Sequence, residues 1–358
     1  MSARIPVSIV TGFLGSGKTT LLNRVLREPS MADSAVIVNE LGEVALDHLL
    51  IATPRENTVV LASGCICCEV RGDLVETLAD LYARRHAGEL PAFARVLVET
   101  TGLADPVPLV QTVATDRQLA PLFRLDAIVA TVDGVNAAAQ LDAHPEAVKQ
   151  AALADRLVLT KSDLVSEEAC VSLERRLAAL NPAAPRHRAV RGEIAPQALF
   201  GAALADAAAR AEDIERWLQE RAVAEARERG HVHSGDIRAF CLHYEGRVTR
   251  SGLLAWLQLL AGLRGANVLR VKGLLNVEGA PVAVHVVQSV VHEPLALERW
   301  PDAERRSRIV FIARGLEPSA IEPTLPVLGL ETGAGAFDPR AYARFAEAAA
   351  ALRAARRA

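Results

Sequence analysis

The sequence predicts an α/β fold: a doubly wound, mostly parallel sheet, with a smaller α+β domain after it. Three observations lead there. Continuous apolar runs alternate with amphipathic helical runs through the first half of the chain, as expected of strands buried on both faces and joined by crossover helices. A glycine-rich loop stands between the first apolar run and the first helical run. Beyond His231 and His233 the chain changes character, and strand and helix patterns no longer alternate regularly.

Taken in order, the apolar runs at residues 7–10, 35–38, 58–61, 95–98, 127–132 and 156–159 read as strands. Helical patterns occupy 20–26, 73–85, 145–152 and 167–180, and a charged helical stretch covers about 214–230. In the second half, residues 237–244 read as a strand and 251–263 as a helix. Residues 268–277 and 281–289 form a β pair around Glu278-Gly279, 308–313 a further strand, and a helix is expected after Pro318. The expected division is 1–213 for the first domain, 214–235 for a helical, histidine-containing linker, 236–318 for the second domain and 319–358 for an Ala/Arg-rich tail.

Composition sets bounds. A length of 358 residues makes two domains the default. A net charge of -3 offers no reason to expect a nucleic-acid partner. The first residues carry no apolar signal core, and no run of eighteen apolar residues occurs, so neither export nor a membrane span is expected and the cytoplasm is the expected compartment. There, five cysteines argue against structural disulfides, and three of them fall within four residues, which points to a metal or redox site.

Gly12-Phe13-Leu14-Gly15-Ser16-Gly17-Lys18-Thr19 fits G-x-x-x-x-G-K-[ST] between a strand and a helix, the context in which the pattern has mechanical meaning. The loop turns backbone N–H groups toward phosphate oxygens, and the helix N-terminus adds its dipole. Gly12, Gly15, Ser16, Gly17, Lys18, Thr19 and Thr20 are the candidate phosphate-binding residues; Lys18 reaches the β/γ-phosphates and Thr19 places its hydroxyl on Mg²⁺. Only four of the 40 basic residues are lysine, and Lys18 and Lys161 are two of them. Lys18 stands where a compact ammonium suits better than a planar fork.

Four further segments follow strand ends, where ligands of such sheets bind. Glu99-Thr100-Thr101-Gly102 offers an acid for Mg²⁺ at Glu99 and a close backbone approach to a γ-phosphate at Gly102, although a plain strand-end turn fits as well. Thr160-Lys161-Ser162-Asp163 resembles the N-K-x-D guanine motif. Asp163 can accept from two guanine donors, Lys161 can cover the base, and Thr160 in place of Asn weakens one loop brace; a helix N-cap at Ser162 or Asp163 is the other reading. Glu40, in Asn39-Glu40-Leu41-Gly42-Glu43, stands where an acid could meet Mg²⁺-bound water or orient the attacking water, or simply end a strand. Cys65, Cys67 and Cys68 can converge on a transition metal, with a fourth ligand from elsewhere; a redox cluster or small buried hydrophobes remain open. His231 and His233 suit an auxiliary metal site or an exposed linker.

In this order G-F-L-G-S-G-K-T-T, N-E-L-G-E-V, G-C-I-C-C, E-T-T-G and T-K-S-D resemble the CobW-type GTPases, which group with the nickel-insertion GTPases of urease and hydrogenase. Segments 237–240, 269–275, 286–288 and 308–313 resemble the CobW C-terminal domain, so the likeness spans about residues 5 to 316. The resemblance implies a P-loop GTPase that hydrolyses GTP with Mg²⁺ through Lys18, Glu40 and Glu99. It implies a metallochaperone that carries Zn²⁺ or Co²⁺ at the C-x-C-C loop to a client metalloprotein or cofactor-synthesis enzyme. A homo-oligomer is compatible with it. A metal store or sensor, or a redox-responsive regulatory GTPase, are the alternatives. The long His-rich tract of many relatives is reduced here to His231 and His233.

Overall fold

The computed structural model describes residues 4–39, 59–63, 70–201, 237–264 and 267–331. The chain divides into two compact units: Met1–Leu177 with Ala184–Ala205, and Ala178–Ala183 with Asp206–Ala358.

The first unit is built on a seven-stranded sheet of order β3-β2-β4-β1-β5-β6-β7, parallel throughout. Its strands are β1 (Ile5–Gly12), β2 (Ser34–Asn39), β3 (Val59–Ser63), β4 (Arg95–Glu99), β5 (Phe123–Asp133), β6 (Arg156–Thr160) and β7 (Arg186–Ala189). The helices are α1 (Lys18–Val25), α2 (Val70–His86), α3 (Val107–Thr115), α4 (Ala137–Ala143), α5 (Pro145–Leu153) and α6 (Glu167–Leu180). Consecutive residues of the central strands are buried, as Ile9 and Val10 are on β1 and Ile128, Val129 and Ala130 on β5. A strand covered on both faces has no polar side to alternate with, so it reads as an unbroken apolar run. One cover is the face of α1 carrying Leu21, Leu22 and Val25, which joins Val10, Leu97, Val129 and Val158 in one cluster.

The six expected strands are present. β7 carries the sequence RHRA and only its last residue is buried, so an edge strand of charged residues gave no apolar signal. Helices α3 and α4 were also unexpected; α3 opens on Pro106 with the Asp105 carboxylate accepting from the Val107 N–H at 3.1 Å.

The second unit contains β8 (Ile237–Tyr244), α7 (Arg250–Arg264), β9 (Val268–Val277), β10 (Ala280–Val287), β11 (Val290–Val291), β12 (Leu295–Ala296), β13 (Ser307–Arg314) and α8 (Pro318–Ile321). Its antiparallel sheet runs β11-β10-β9-β13-β8, with β12 against β10. The hairpin of β9 and β10 turns at Glu278 and Gly279, both with positive φ (53° and 93°), the requirement of a two-residue turn that follows strand twist. The core gathers Phe240, Trp256, Val271, Phe311 and Leu328, and Trp256 Nε1–H donates to Thr324 Oγ1 at 2.8 Å. The expected domain end at residue 318 falls inside α8, and the chain beyond it through Leu330 belongs to this core. Among the described residues no helix is long and apolar enough to cross a membrane.

Candidate nucleotide site

Strand order places the phosphate loop. β1 runs between β4 and β5, with Val10 beside Glu99 and Gly12 beside Thr131. β6 lies on the far side of β5, with Thr160 beside Asp133. The segments after β1, β4, β5 and β6 therefore leave the sheet on one rim, at the crevice beyond the strand C-termini.

Gly12 has φ 141°, and a Cβ there would stand 2.2 Å from Thr131 Oγ1 and 2.5 Å from the Thr131 carbonyl oxygen. Gly15 and Gly17 also have positive φ, and Gly17 is the N-cap of α1. Ser16 Oγ and Thr131 Oγ1 share a hydrogen bond of 2.6 Å. Lys18 Nζ donates to the carbonyls of Gly12 at 2.9 Å and Phe13 at 3.2 Å, which curls the ammonium back over its own loop. Thr19 Oγ1 donates to Glu99 Oε1 at 2.7 Å across eighty positions of sequence, and Glu99 is 4% exposed. Thr20 is exposed on the first turn of α1. Gly102 is packed on the phosphate loop: a Cβ on it would meet the Leu14 nitrogen at 2.5 Å.

The second half of the rim carries the Thr160-Lys161-Ser162-Asp163 segment. Thr160 Oγ1 donates to the Ser16 carbonyl at 2.7 Å, with the Val132 carbonyl 3.2 Å away. Threonine thus supplies a brace between the segment after β6 and the phosphate loop, where the sequence suggested a weakened one. Lys161 has φ 54° and its ammonium meets Asp133 Oδ2 at 2.7 Å. Burial raises the Asp133 pKa, but the bonds from Lys161, the Asn136 amide and the Val135 N–H outweigh it and hold the carboxyl below its usual range. Asp163 is exposed in a 3-10 turn (Ser162–Leu164). The N-cap role belongs to Ser166, whose Oγ accepts from the Ala169 N–H at 3.3 Å. Asp163 is therefore not occupied in capping α6.

The rim is also where apolar surface is left open. Among the described residues of the first unit, the exposed large apolar side chains are Leu14, Leu103, Val135, Leu164 and Val190. They follow β1, β4, β5, β6 and β7 in turn.

Glu40, Cys65, Cys67, Cys68, His231 and His233 lie outside the described residues. Among the described residues no group of three or more His, Cys, Asp or Glu side chains could hold a metal ion. Asp133 and Thr131 were not singled out from the sequence. Asp133 carried a usable signal, an acid followed by glycine at a strand end; Thr131 carried none, because a threonine inside an apolar strand looks like any other strand residue.

The class these features define is a P-loop nucleotide-binding protein with a second, antiparallel-sheet unit. The family model for the CobW/HypB/UreG nucleotide-binding domain matches residues 6–188, and that for the cobalamin synthesis protein cobW C-terminal domain matches residues 237–326. The chain belongs to the CobW/HypB/UreG family. It is 33% identical over 313 residues to the zinc chaperone YjiA of Escherichia coli, covering 86% of this chain and 93% of that protein. It is 35% identical over 231 residues to the zinc chaperone CobW of Pseudomonas aeruginosa, covering 56% of this chain and 60% of that one. The crystal structure of Zn(II)-bound YjiA GTPase from E. coli aligns with a TM-score of 0.67 at 26% identity, over 92% of this chain and all of that one.

Proposed function

We propose that this protein binds and hydrolyses GTP and uses the cycle to carry zinc to a client metalloprotein or cofactor-synthesis enzyme in the cytoplasm. The observation that supports this most is its likeness to a zinc chaperone over nearly the full length of both chains. In this reading the triphosphate lies in the Gly12–Thr19 loop, with Lys18 on the β/γ-phosphates and backbone N–H groups around them. Asp163 accepts from the two guanine donors, and Lys161, steered by Asp133, covers the base. Gly102 brings its N–H to the γ-phosphate.

Thr19 Oγ1 and Glu99 Oε1, already 2.7 Å apart, are the hard oxygen donors that suit Mg²⁺. They would hold it at that point, where it would neutralise charge on the β- and γ-oxygens. Glu40 orients the attacking water. GTP and water give GDP and phosphate, and loss of the γ-phosphate releases the loop at Gly102.

Zinc is the cargo. Cys65, Cys67 and Cys68 bind it as thiolates, so loading releases protons. The fourth ligand comes from elsewhere and is replaced when the client takes the metal. Coupling between two sites is reciprocal in binding free energy, so GTP tightens zinc by the same factor by which zinc tightens GTP. A competition titration with Zn²⁺ and Co²⁺ in GTP-analogue, GDP and nucleotide-free states tests this, repeated with all three cysteines changed to serine. Tighter metal with the analogue, lost in the triple variant, is expected. Equal affinity in every state, or full affinity without the thiols, would remove the chaperone cycle.

A further inference from the structure

Helix α5 touches both segments that surround the phosphate position. Its N-cap residue, His144, stacks on the ring of Phe13 in the phosphate loop with centroids 4.5 Å apart. Lys149 Nζ meets the Asp105 carboxylate at 2.6 Å. The next residue, Gln150, donates from Nε2 to two carbonyl oxygens of the segment after β4, Gly102 at 3.1 Å and Ala104 at 3.0 Å.

The amide orientation is fixed by its partners. Two converging carbonyl oxygens require the NH₂ end, because the flipped rotamer would set Oε1 against both. Gln150 is 2% exposed, and its Oε1 is buried with no partner among the described residues. A buried acceptor left unmet is a cost, and an apolar side chain of similar size would avoid it. Core filling alone therefore gives no reason for glutamine at this position. The two donated bonds do.

Gly102 is held from the other side as well. The space a Cβ would take is filled by the Leu14 backbone and side chain, the nitrogen at 2.5 Å and Cδ2 at 2.6 Å. The turn at residues 102–104 thus lies between the phosphate loop and Gln150. Glycine has the widest backbone freedom of any residue, and an anchored carbonyl on one side with close packing on the other removes most of it.

We infer that Gln150 is a positioning residue: it fixes the 102–104 turn against the phosphate loop and so sets the preference for a nucleoside triphosphate over the diphosphate. The inference rests on the proposed role of Gly102 at the γ-phosphate. Gln150 acts on that contact through the turn and touches no nucleotide atom itself. Lys149 and Asp105 extend the same grip by one residue.

The experiment titrates the full-length protein with GTPγS and GDP, comparing wild type with Gln150→Leu and Lys149→Ala and checking each fold by circular dichroism. Gln150→Leu should weaken GTPγS by roughly thirtyfold, the equivalent of two ordinary hydrogen bonds, and leave GDP within about twofold. Lys149→Ala should shift the ratio in the same direction by a smaller factor, because its pair is partly exposed. A folded Gln150→Leu protein with the wild-type ratio, or one that loses both nucleotides equally, would overturn the inference. Should that variant fail to fold, hydrogen exchange on wild type decides. Amides 102–105 should exchange more slowly with GTPγS than with GDP, and equal exchange overturns the inference. Wild type that binds neither nucleotide would overturn the proposed function along with it, whereas an unchanged ratio in a nucleotide-binding protein overturns the role of Gln150 alone.

Discussion

Gly12 has no room for a side chain and no freedom to make any. Its φ of 141° lies where L-residues are strained, and the Thr131 hydroxyl and carbonyl stand within 2.5 Å of an added Cβ. Those Thr131 atoms cannot retreat cheaply, because the hydroxyl also holds Ser16 and the carbonyl belongs to a central strand. Gly12→Ala should therefore open the phosphate loop, abolish detectable GTP binding and destabilise the first unit by about 1–3 kcal/mol. Calorimetric titration and a urea midpoint measure the two effects. A variant that binds GTP like wild type would show that the loop does not need the glycine for phosphate. Lys18 carries a different burden, since its ammonium is placed by two carbonyls and brings the charge they lack. Lys18→Ala should leave the fold intact and eliminate hydrolysis, measured as phosphate release.

At the scale of elements, the C-terminal ends of β5 and β6 act as one unit. Asp133 ends β5 and is almost fully buried, while Lys161 follows β6 and is partly exposed. The carboxyl pKa is lower folded than unfolded, so its contribution to stability is fully present above the unfolded value near 3.8 and is lost as pH falls below that through the folded value. Asp133→Asn should lower the urea midpoint at pH 7 and show a narrowing gap from wild type below about pH 4. It should also weaken guanine nucleotide, because Lys161 loses the group that steers it. A gap independent of pH would mean that the charge of the Asp133 carboxylate contributes nothing to stability. Asp163→Asn is separate: it offers guanine a mixed donor and acceptor pattern, and the mispairing should cost about 1–3 kcal/mol of GTP binding. A protein that binds ATP as tightly as GTP would refute the base assignment.

At the scale of the whole molecule, the two units answer to different variables. The first is the one nucleotide should stabilise, by about 2.7 kcal/mol at a hundredfold excess over Kd. The second carries an acid-sensitive point at His285. Burial, with His292, Arg270 and Lys272 close by, pushes its pKa well below 6.5. His292 stacks on its ring at 4.4 Å, and Arg270 Nη2 lies 2.9 Å from its Nε2, which fits a neutral ring with the proton on Nδ1. The folded ring stays neutral while the unfolded one gains a proton below pH 6.5, so stability is fully present above that pH and falls as pH drops, by at most about 1.4 kcal/mol per unit. Trp256 and Trp300 belong to the second unit, and the described residues of the first unit hold no tryptophan, so tryptophan emission during urea unfolding reads this slope. His285→Gln should flatten it between pH 7 and 5; an unchanged slope would assign the acid sensitivity to other groups.

The sequence by itself determined the elements whose signal is local. A strand covered on both faces reads as an apolar run, and residues 35–38 of β2, 96–98 of β4, 127–130 of β5 and 157–159 of β6 are such runs. A phosphate loop needs glycines and one lysine at fixed spacing, and Gly12 to Lys18 supply them. Family membership followed from several such segments in order. Tertiary structure decided what depends on which strand ends converge. Thr160 braces Ser16 from 144 positions away, Lys161 finds Asp133 across 28, and Gln150 reaches Gly102 across 48. It also decided that β7, with three of its four residues short of full burial, could still close the edge of a sheet. The reason is the range of the forces that leave a mark in sequence. Periodicity and turn chemistry act within a few residues, whereas a hydrogen bond between two loops is specified only by the order and register of the strands that carry them.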